Sequence, residues 1–406
     1  MKQCRVCNSG IEPFMSFGKM PIANGFLSAD QFAEEYFFEL EVAFCKKCSM
    51  VQLVEQPDAG KMFHENYAFF SGTSAGMALH FREFAEYVKK NYLRSKDPFV
   101  VEIGCNDGIM LQHFAHSSIR HLGIEPSANV AVEANKKGVR TIGKFFGEKL
   151  ADDIIRENGK ADAFLGANVM CHIPNINSVI AGIRRLLKPE GIVIFEDPYL
   201  GDVIKKTSYD QIYDEHVFLF SLTSIGYAFA LHGMELVDIE PQGTHGGSMR
   251  YVIAHKGVFP VSERVVDQLE KERNLGIGKP ETFDLFRGKC ELSRHSLVSL
   301  LRDIKRQGKR IVGYAATSKS TTVLNYCGIT SDLIEYISDT TPIKQGKYSP
   351  GMHIPVRPYQ DFLANYPHYA VLFAWNHAVE IMDKEQKYRD AGGKWVSFVP
   401  DVRILG

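Results

Sequence analysis

The sequence predicts an α/β protein with three parts: an N-terminal four-cysteine module, a central doubly wound α/β sheet and a smaller C-terminal α/β domain. Three observations support this prediction. Two Cys-x-x-Cys pairs lie near the N-terminus, a glycine-rich turn joins a strand to a helix in the middle of the chain, and a small-residue turn opens a second strand–helix series near the C-terminus. We therefore place the domain boundaries at residues 1–70, 71–258 and 259–406.

Composition and charge limit the partners of the chain. Of the 406 residues, 45% are apolar, and the formal net charge is −1 with both signs spread along the chain. This charge distribution argues against a nucleic-acid partner. We find no apolar run long enough to span a membrane and no signal peptide in "MKQCRVCNSG", so we expect no membrane partner and a cytoplasmic location with reduced cysteines. No coiled-coil pattern stands out, so we expect a monomer.

Four of the eight cysteines form two pairs with the spacing of zinc knuckles. Each pair can present two thiolates to one ion, and two knuckles complete a tetrahedral site. Chance cysteines or two redox motifs are the alternative. Because protein ligands would fill all four positions, no water is activated there, and we expect a structural Zn²⁺ that staples a region without a large core. The predicted ligands are Cys4, Cys7, Cys45 and Cys48.

The stretch "PFVVEIGCNDGIMLQHF" predicts a strand over residues 99–103, a glycine-rich turn over 104–108 and a helix over 109–115. Such a turn brings backbone N–H groups close to a ligand. Asn106 stands where the dinucleotide-binding form has its middle glycine, and asparagine tolerates a left-handed backbone better than most residues. For the turn alone, a dinucleotide-binding domain is the alternative.

The units that follow extend the pattern to a doubly wound sheet. A second strand ends in Glu125, where an acid can accept both hydroxyls of a ribose. The stretch "VRTIGKFFGEKLADDI" forms a third unit. A fourth strand ends at Asn168, a loop carries His172, and Gly191 opens the next strand in "LLKPEGIVIFEDPYL". This order resembles the S-adenosylmethionine-dependent methyltransferases.

The resemblance implies S-adenosylmethionine (SAM) as a cofactor. We expect the glycine turn near the methionine part of SAM and Glu125 on the ribose. Phe145 or its neighbour Phe146 would flank the adenine, and Asn168 would face the sulfonium. The SAM-binding residues that we predict are Glu102, Gly104, Asp107, Gly108, Glu125, Phe145 and Asn168.

The C-terminal third begins with long helical stretches and continues as a second, smaller Rossmann-like domain. In "RIVGYAATSKSTTVLNYCGI" a strand, a small-residue turn and a helix follow one another, but Ser318 occupies the place of the second glycine of a Walker A loop. The helix start still favours anions, and the next strand ends in Asp339. A domain that only packs against the first is the alternative. The predicted phosphate and nucleoside ligands are Ser318, Lys319, Lys344, Tyr348, Trp375 and Asn376.

The order of the three parts resembles the sugar 3-C-methyltransferases of deoxysugar biosynthesis over nearly the whole chain. The stretches that carry this resemblance are "NYAFFSGTSAG", "ANVMCHIPN", "IYDEHVFLFS", "GTHGGSMRY" and "GYAATSKSTT". The resemblance implies SAM-dependent methylation at C3 of a nucleotide-linked 4-keto-6-deoxyhexose, with dTDP as the expected carrier. It also implies that the C-terminal domain holds the nucleotide diphosphate while the other two parts enclose the hexose.

The titratable residues of "DQIYDEHVFLFS" suit the proton transfer that this reaction needs. Removal of the C3 proton requires a base and a stabiliser of the enolate oxygen, and histidine is a base suited to neutral pH. With the resemblance, we assign His216 as the base, Tyr213 as a donor to the enolate oxygen and Glu215 to orientation. Further contacts to the sugar or enolate are His172 and Tyr67. The alternative is buried, satisfied polar groups followed by a helix or core segment.

The glycine-rich stretch "GTHGGSMRY" predicts a turn into a strand that carries His245, Ser248 and Arg250. An ordinary turn is the alternative, and the resemblance favours contact with the sugar or the diphosphate. Three other functions stay open at this point: a SAM-dependent methyltransferase of another small metabolite, a zinc-ribbon protein that modifies RNA, and a non-catalytic binder of nucleotide sugars.

Overall fold

The computed structural model describes residues 2–58 and 75–406, and three β-sheets organise this part of the chain. Strands are numbered along the chain. The first sheet contains β1 (Glu12–Pro21), β2 (Phe37–Phe44), β3 (Val51–Leu53) and β9 (Phe218–Leu219), and a 3-10 turn (Ala29–Glu34) precedes β2. The order is β1-β2-β3-β9, and all neighbours are antiparallel.

Strand β9 comes from the middle of the chain yet completes the sheet of the N-terminal module. Leu219 pairs with Val51, and Phe218 pairs with Gln52. The sequence alone allowed a helix or core segment after His216, and the structure shows a strand, in keeping with the β-branched and aromatic residues there. The strand that follows His216 therefore ties this residue to the first module.

The second sheet has seven strands and forms the centre of the middle domain. They are β4 (Phe99–Ile103), β5 (Arg120–Ile124), β6 (Thr141–Ile142), β7 (Ala161–Ala167), β8 (Leu187–Pro198), β10 (Met234–Gln242) and β11 (Ser248–His255). The order is β10-β11-β8-β7-β4-β5-β6, and β11 runs antiparallel to both of its neighbours. The strand order reverses between β4 and β7, which is where doubly wound sheets bind ligands.

Helices cover both faces of this sheet. Phe99 and Val101 of β4 pack into one buried cluster and Val100 packs into another, as the alternation of side chains along a strand requires. The helix after the glycine turn begins at Gln112, so residues 109–111, which the sequence predicted to be helical, form turns instead. The helices of the domain are Ala75–Asn91, Gln112–Ala115, Ala128–Lys136, Glu148–Asn158, Ile176–Leu186, Leu200–Lys206 and Leu222–Ala230.

The C-terminal domain is a smaller Rossmann-like unit that follows two long helices. Its sheet contains β12 (Ile311–Tyr314), β13 (Ile337–Asp339), β14 (Val356–Pro358), β15 (Tyr369–Leu372), β16 (Lys394–Ser397) and β17 (Arg403–Leu405). The order is β14-β13-β12-β15-β16-β17, parallel except for β17. The helices are Glu263–Leu275, Pro280–Arg306, Ser318–Cys327, Tyr359–Ala364, Ala378–Lys384 and Gln386–Asp390. The predicted fold class is therefore confirmed.

The N-terminal module packs against both other domains. One buried cluster joins its cysteines to the middle sheet, and a second joins Val42 of β2 to Ile311 of β12. Residues 209–220 contribute to both clusters, so this segment lies where the three parts meet. Within the described ranges, no helix combines the length and the apolarity that a membrane crossing needs.

Candidate active site and zinc site

The two cysteine pairs of the N-terminal module form matching turns. After the first pair, Asn8 has a left-handed φ of 58° and donates its N–H to the Cys4 carbonyl at 2.9 Å. After the second pair, Ser49 has a φ of 57° and donates to the Cys45 carbonyl at 2.8 Å. The same backbone geometry thus repeats at both pairs, as two knuckles of one metal site require.

The four thiols lie close enough together to hold one ion. The sulfur atoms of Cys4 and Cys48 are 3.5 Å apart, as are those of Cys7 and Cys45, and all four lie within 4.8 Å of one another. Nε2 of Gln52 lies 3.1 Å from the sulfur of Cys4 and supports this ligand from outside the cluster. Four thiolates suit a tetrahedral Zn²⁺ with no open position, which is the arrangement of a structural metal.

The turn after β4 has a backbone shape that brings N–H groups toward a ligand. Gly104, Asn106 and Gly108 have left-handed φ values of 63°, 48° and 75°. A Cβ on Gly104 would lie 2.6 Å from Cγ2 of Val169, so no larger residue fits there without a shift. Asparagine at position 106 adopts the left-handed conformation that the sequence suggested it would tolerate.

Carboxylates around this turn give it a negative character. Glu125, directly after β5, accepts the N–H groups of Asn106 at 3.0 Å and Ser127 at 2.8 Å. Burial, reinforced by the charges of Glu125 and Asp107, raises the pKa of Glu102 to about 8. Such a group of acids favours a cationic ligand. The residues therefore fit SAM, which carries a sulfonium, an ammonium group and a ribose diol.

The other predicted SAM residues differ in their surroundings. Asp107 forms an ion pair of 2.9 Å with Lys137. The side chain of Phe145 is 64% exposed, whereas Phe146 is 8% exposed and packs in the core, so Phe145 offers the more open ring. Asn168 directly follows β7 and has a left-handed φ of 54°. It therefore lies at the edge where the strand order reverses.

A histidine and a tyrosine three residues apart share a hydrogen bond where the three parts of the chain meet. Nε2 of His216 lies 2.9 Å from the Tyr213 hydroxyl, and Nδ1 lies 2.6 Å from the carbonyl oxygen of Gln211. A carbonyl can only accept, so Nδ1 carries the proton and Nε2 accepts from Tyr213. Burial, together with His172 nearby, lowers the pKa of His216 well below its usual value, so the ring is neutral at pH 7.

His172 is the second histidine of this site. Its ring stacks on that of His216 with the centroids 5.2 Å apart, and burial lowers the pKa of His172 to about 4. Ligand atoms of Cys171, His172 and His216 lie within 4.8 Å of one another. Because both ring nitrogens of His216 already take part in hydrogen bonds, we interpret this cluster as part of a hydrogen-bond network rather than as a metal site.

Glu215 faces the N-terminal module. Its Oε1 accepts a hydrogen bond of 2.7 Å from Nδ2 of Asn24. The neighbouring Asp214 accepts the N–H of Ala23 at 3.0 Å, and burial, with Glu215 beside it, raises the pKa of Asp214. Tyr67, the other catalytic residue predicted on the N-terminal side, lies outside the described residues.

His245 connects the SAM edge, the 209–216 segment and the C-terminal domain. Nδ2 of Asn168 donates to Nε2 of His245 at 3.0 Å. The carbonyl of His245 accepts from the side-chain amide of Gln211 and from Nζ of Lys319, the latter at 3.2 Å. Three regions of the chain thus converge on one residue of the predicted turn.

Arg250 and Ser248 have partners within the middle domain. Arg250 forms ion pairs with Glu196 at 2.5 Å and with Glu240 at 2.6 Å, and its guanidinium carbon lies 4.0 Å from the ring centroid of Phe84. Ser248 is buried and donates to a carbonyl of its own loop at 3.1 Å. These contacts hold β11 against its neighbours, and contact of the two residues with the sugar or the diphosphate stays a prediction.

In the C-terminal domain, Lys319 and Trp375 lie beside the 209–216 segment. Nζ of Lys319 is 5.4 Å from the Trp375 ring centroid, and the indole N–H donates to Asp210 at 2.6 Å. Burial lowers the pKa of Lys319 to about 8 and raises the pKa of Asp210 to about 6. Ser318, at the helix start, and Asn376, after Trp375, are both half-buried.

Lys344 ends the 3-10 turn Pro342–Lys344 after β13, and its side chain reaches the turn before helix Ser318–Cys327, while Tyr348 lies against the N-terminal module. Nζ of Lys344 donates to the Ala316 carbonyl at 2.8 Å and is 5.0 Å from the ring centroid of Phe26. Burial lowers the pKa of Lys344. The ring of Tyr348 meets Phe32 edge to face with the centroids 5.0 Å apart. Two of the predicted substrate residues of the C-terminal domain thus border the N-terminal module.

Sequence reasoning missed several polar residues that the structure brings to this site. Gln211 fixes the His216 ring through its carbonyl, Asp210 binds the Trp375 indole, and Asn24 binds Glu215. Gln211 and Asp210 lie in the same polar stretch as His216, and this position could have indicated their roles. Asn24 stands in an ordinary turn next to a glycine, far along the chain from its partner, and offers no such signal.

The middle sheet and its carboxylate-lined turn define the class of SAM-dependent methyltransferases, and family models agree. A methyltransferase domain matches residues 78–239, a C-methyltransferase C-terminal domain matches residues 243–400, and a zinc binding domain matches residues 4–63. SAM and a structural Zn²⁺ are therefore the cofactors, as the sequence predicted.

A relative that is similar along its whole length narrows the class. The C-methyltransferase NovU of Streptomyces niveus is 32% identical over 408 aligned positions, which cover 99% of this chain and 96% of NovU. The chain therefore belongs to the family of SAM-dependent C-methyltransferases, and the family resemblance seen in the sequence is confirmed.

Solved structures that resemble part of the chain share less sequence. Magnesium protoporphyrin IX methyltransferase of Synechocystis PCC 6803, solved with bound SAM, is 14% identical, with a TM-score of 0.34, over 45% of this chain and 80% of its own. The CcbJ methyltransferase of Streptomyces caelestis is 12% identical, with a TM-score of 0.33, over 43% of this chain and 89% of its own. Family membership rests on NovU and on the family models instead.

Proposed function

We propose that this enzyme transfers a methyl group from SAM to C3 of a nucleotide-diphosphate 4-keto-6-deoxyhexose, with dTDP as the expected nucleotide. The relationship to NovU, a C-methyltransferase, supports transfer to carbon. One observation carries the proposal: a row of hydrogen-bonded groups runs from Asn168 at the SAM edge through His245 and Gln211 to His216. A continuous set of hydrogen bonds therefore links the proposed base to the methyl-donor side.

The proposed reaction needs a base beside a ketone, because the C3–H bond is acidic only when the enolate is stabilised. We assign this role to Nε2 of His216. Nδ1 is bonded to the Gln211 carbonyl and keeps its proton, which leaves the lone pair on Nε2. The lowered pKa of His216 keeps the ring neutral at pH 7, and only the neutral ring can take up the C3 proton.

Tyr213 covers Nε2 of the base in the structure, and this contact suggests its part in the reaction. We propose that the C4 oxygen of the incoming sugar takes over the Tyr213 hydroxyl as its donor, which frees Nε2 for the C3 proton. His172, stacked beside the base, and Tyr67 are assigned to contacts with the sugar or enolate. Glu215, held by Asn24, orients the sugar or a neighbouring group.

Two ammonium groups near the start of helix Ser318–Cys327 favour a diphosphate there. Burial lowers the pKa of both Lys319 and Lys344 although Asp210 favours the charged form of the first and Asp339 and Glu215 that of the second, so each ammonium would gain from a further counter-charge. A diphosphate supplies that charge, and the helix start supplies N–H donors. The remaining contacts to the nucleotide sugar that we propose are Ser318, Tyr348, Trp375, Asn376 and His245.

When bound, SAM supplies a methyl group on a positively charged sulfur, a strong electrophile for a carbon nucleophile. The residues of the chain hold the two substrates side by side, with Glu125 and Asn168 on the SAM side and His216 on the sugar side. Proximity and orientation of this kind supply much of an enzymatic rate. We further propose that the enzyme acts as a monomer in the cytoplasm, without a nucleic-acid or membrane partner.

A screen of nucleotide-linked 4-keto sugars with SAM tests this proposal. We expect a mass gain of one methyl group and, in deuterated water without SAM, exchange of the C3 proton. Methylation of a different small metabolite alone, or binding of the sugar without exchange or transfer, would overturn the proposal. Salt-dependent retention on heparin would instead point to an RNA substrate.

A further inference from the structure

We propose that residues of two other domains form a positioning clamp on the 209–216 segment and thereby set the geometry of the Tyr213–His216 pair. The clamp consists of Ala23, Asn24, Thr321 and Thr322. The first two belong to the N-terminal module and the last two to a helix of the C-terminal domain. The inference rests on the catalytic role proposed above for the pair.

Thr322 contacts the segment directly. Its hydroxyl donates to the carbonyl of Ile212 at 2.9 Å, and Ile212 immediately precedes Tyr213. Thr322 is 2% exposed, so water has little access to replace this donor. Loss of the hydroxyl would leave a buried carbonyl without this partner, which destabilises the local backbone. A shift at Ile212 would move Tyr213 with it.

Thr321 acts through the N-terminal module. Its hydroxyl donates to the Ala23 carbonyl at 2.8 Å, and the N–H of Ala23 donates to Asp214 at 3.0 Å. The next residue, Asn24, donates to Glu215 at 2.7 Å. The turn at Ala23 and Asn24 thus binds two consecutive acids of the segment, Asp214 and Glu215. Thr321 of the C-terminal helix binds this turn from the other side of the chain of contacts.

The two sets of contacts fix the backbone on which the proposed base depends. The hydrogen bond between Tyr213 and His216 spans three residues, and the clamp binds Ile212, Asp214 and Glu215 around it. Misplacement of a catalytic group by about 1 Å can lower a rate about a hundredfold. The clamp residues are therefore positioning residues: Ala23, Asn24 and Thr322 touch the segment, Thr321 touches the turn that binds it, and none is assigned a contact with the reacting atoms.

Replacement of one hydroxyl at nearly constant shape tests the clamp. We expect Thr322→Val to lower kcat about 10- to 100-fold, with the Kd for SAM unchanged because the hydroxyl of Thr322 bonds to Ile212 and not to the SAM turn. Thr322→Ser keeps the donor and should restore most of the rate. Thr330→Val is the matched control, since Thr330 is exposed in the same domain and its side-chain hydroxyl bonds only to Asp332 among the described hydrogen bonds.

A second variant and a structural readout keep the test independent of the substrate. Asn24→Ala changes a half-buried residue, and we expect it to lower kcat as well and to speed amide hydrogen exchange in peptides covering 209–217, as Thr322→Val should. If both variants keep the wild-type kcat, the clamp is overturned. If the wild-type enzyme methylates none of the screened sugars, the proposed function fails, and the exchange rates alone decide the clamp: equal exchange refutes it and faster exchange supports it.

Discussion

The Tyr213 hydroxyl lies 2.9 Å from Nε2 of His216, while the Gln211 carbonyl holds the opposite ring nitrogen at 2.6 Å. A ring that is bonded at both nitrogens is fixed in orientation, and its basic atom faces the tyrosine. We therefore treat Tyr213 and His216 as one unit in the proposed proton transfer. Substitution of His216 should therefore lower the rate of methyl transfer at every pH, whereas protonation of His216 should lower it only at acidic pH.

Replacement of the proposed base should abolish turnover while SAM binding survives. We expect His216→Asn to lower the rate of methyl transfer about 10²- to 10⁴-fold, the usual contribution of a general base. The Kd for SAM, measured by titration calorimetry, should stay at the wild-type value. His295→Asn, at an exposed position on a helix of the C-terminal domain, is the control. A His216→Asn enzyme that turns over at the wild-type rate would show that another residue is the base.

The pH dependence of kcat/KM should have two limbs with different origins. Burial, His172 and Lys319 hold the pKa of His216 below its usual value, and the base must be neutral, so the rate should rise with pH through a limb below pH ~6.5. Lys319, with its pKa lowered to about 8, loses its charge above that pH and with it the proposed attraction for the diphosphate. Lys319→Arg should remove the alkaline limb and leave the acidic limb in place, as a pH series of initial rates would show.

Binding of SAM should release a proton. The pKa of Glu102, raised to about 8 by burial and by Glu125 and Asp107, leaves this carboxyl largely protonated at pH 7 in the free enzyme. A cationic ligand favours the ionised form, so the Kd for SAM should tighten as pH rises toward 8, by up to about tenfold per pH unit. Calorimetry in buffers of different ionisation enthalpy measures the released proton. Glu102→Gln should remove this pH dependence, and its persistence would point to another carboxyl.

Loss of one zinc ligand should destabilise the enzyme and empty the metal site. We expect Cys48→Ser to reduce bound zinc, measured by elemental analysis, from one ion per chain to nearly none. The free energy of unfolding should fall by about 3 kcal/mol or more, since structural zinc sites contribute on the order of 10 kcal/mol to folding. Cys290→Ala removes a buried thiol outside the cluster and should leave the zinc content unchanged. Full zinc content in Cys48→Ser would contradict a four-thiolate site.

Features that depend on neighbouring residues were predictable from the sequence. The paired Cys-x-x-Cys spacing requires two knuckles, and the left-handed turns at Asn8 and Ser49 supply them. The glycine turn around Asn106 and the acid Glu125 at the next strand end follow from the strand–turn–helix pattern. In each case the residues that predict the feature lie within a few positions of it, so the local sequence is enough to determine the local backbone conformation.

Features that depend on distant residues were not predictable. Arg250 stands in β11, just after the glycine-rich turn, and nothing in that stretch of sequence shows that Glu196 and Glu240 neutralise its charge. Likewise, Asn24 and Thr322 lie far along the chain from the segment that they bind. Such pairings follow from the packing of whole domains, which leaves no periodic or compositional mark at either partner.

Strand β9 begins two residues after His216 and forms an edge of the sheet in the zinc-binding module. A hybrid that joined the first module of one relative to the remainder of another would place an unmatched β3 against this edge. The mismatch would fall two residues from the proposed base, however well each half folded. We therefore expect that the first module and the remainder of this enzyme cannot be exchanged independently between relatives.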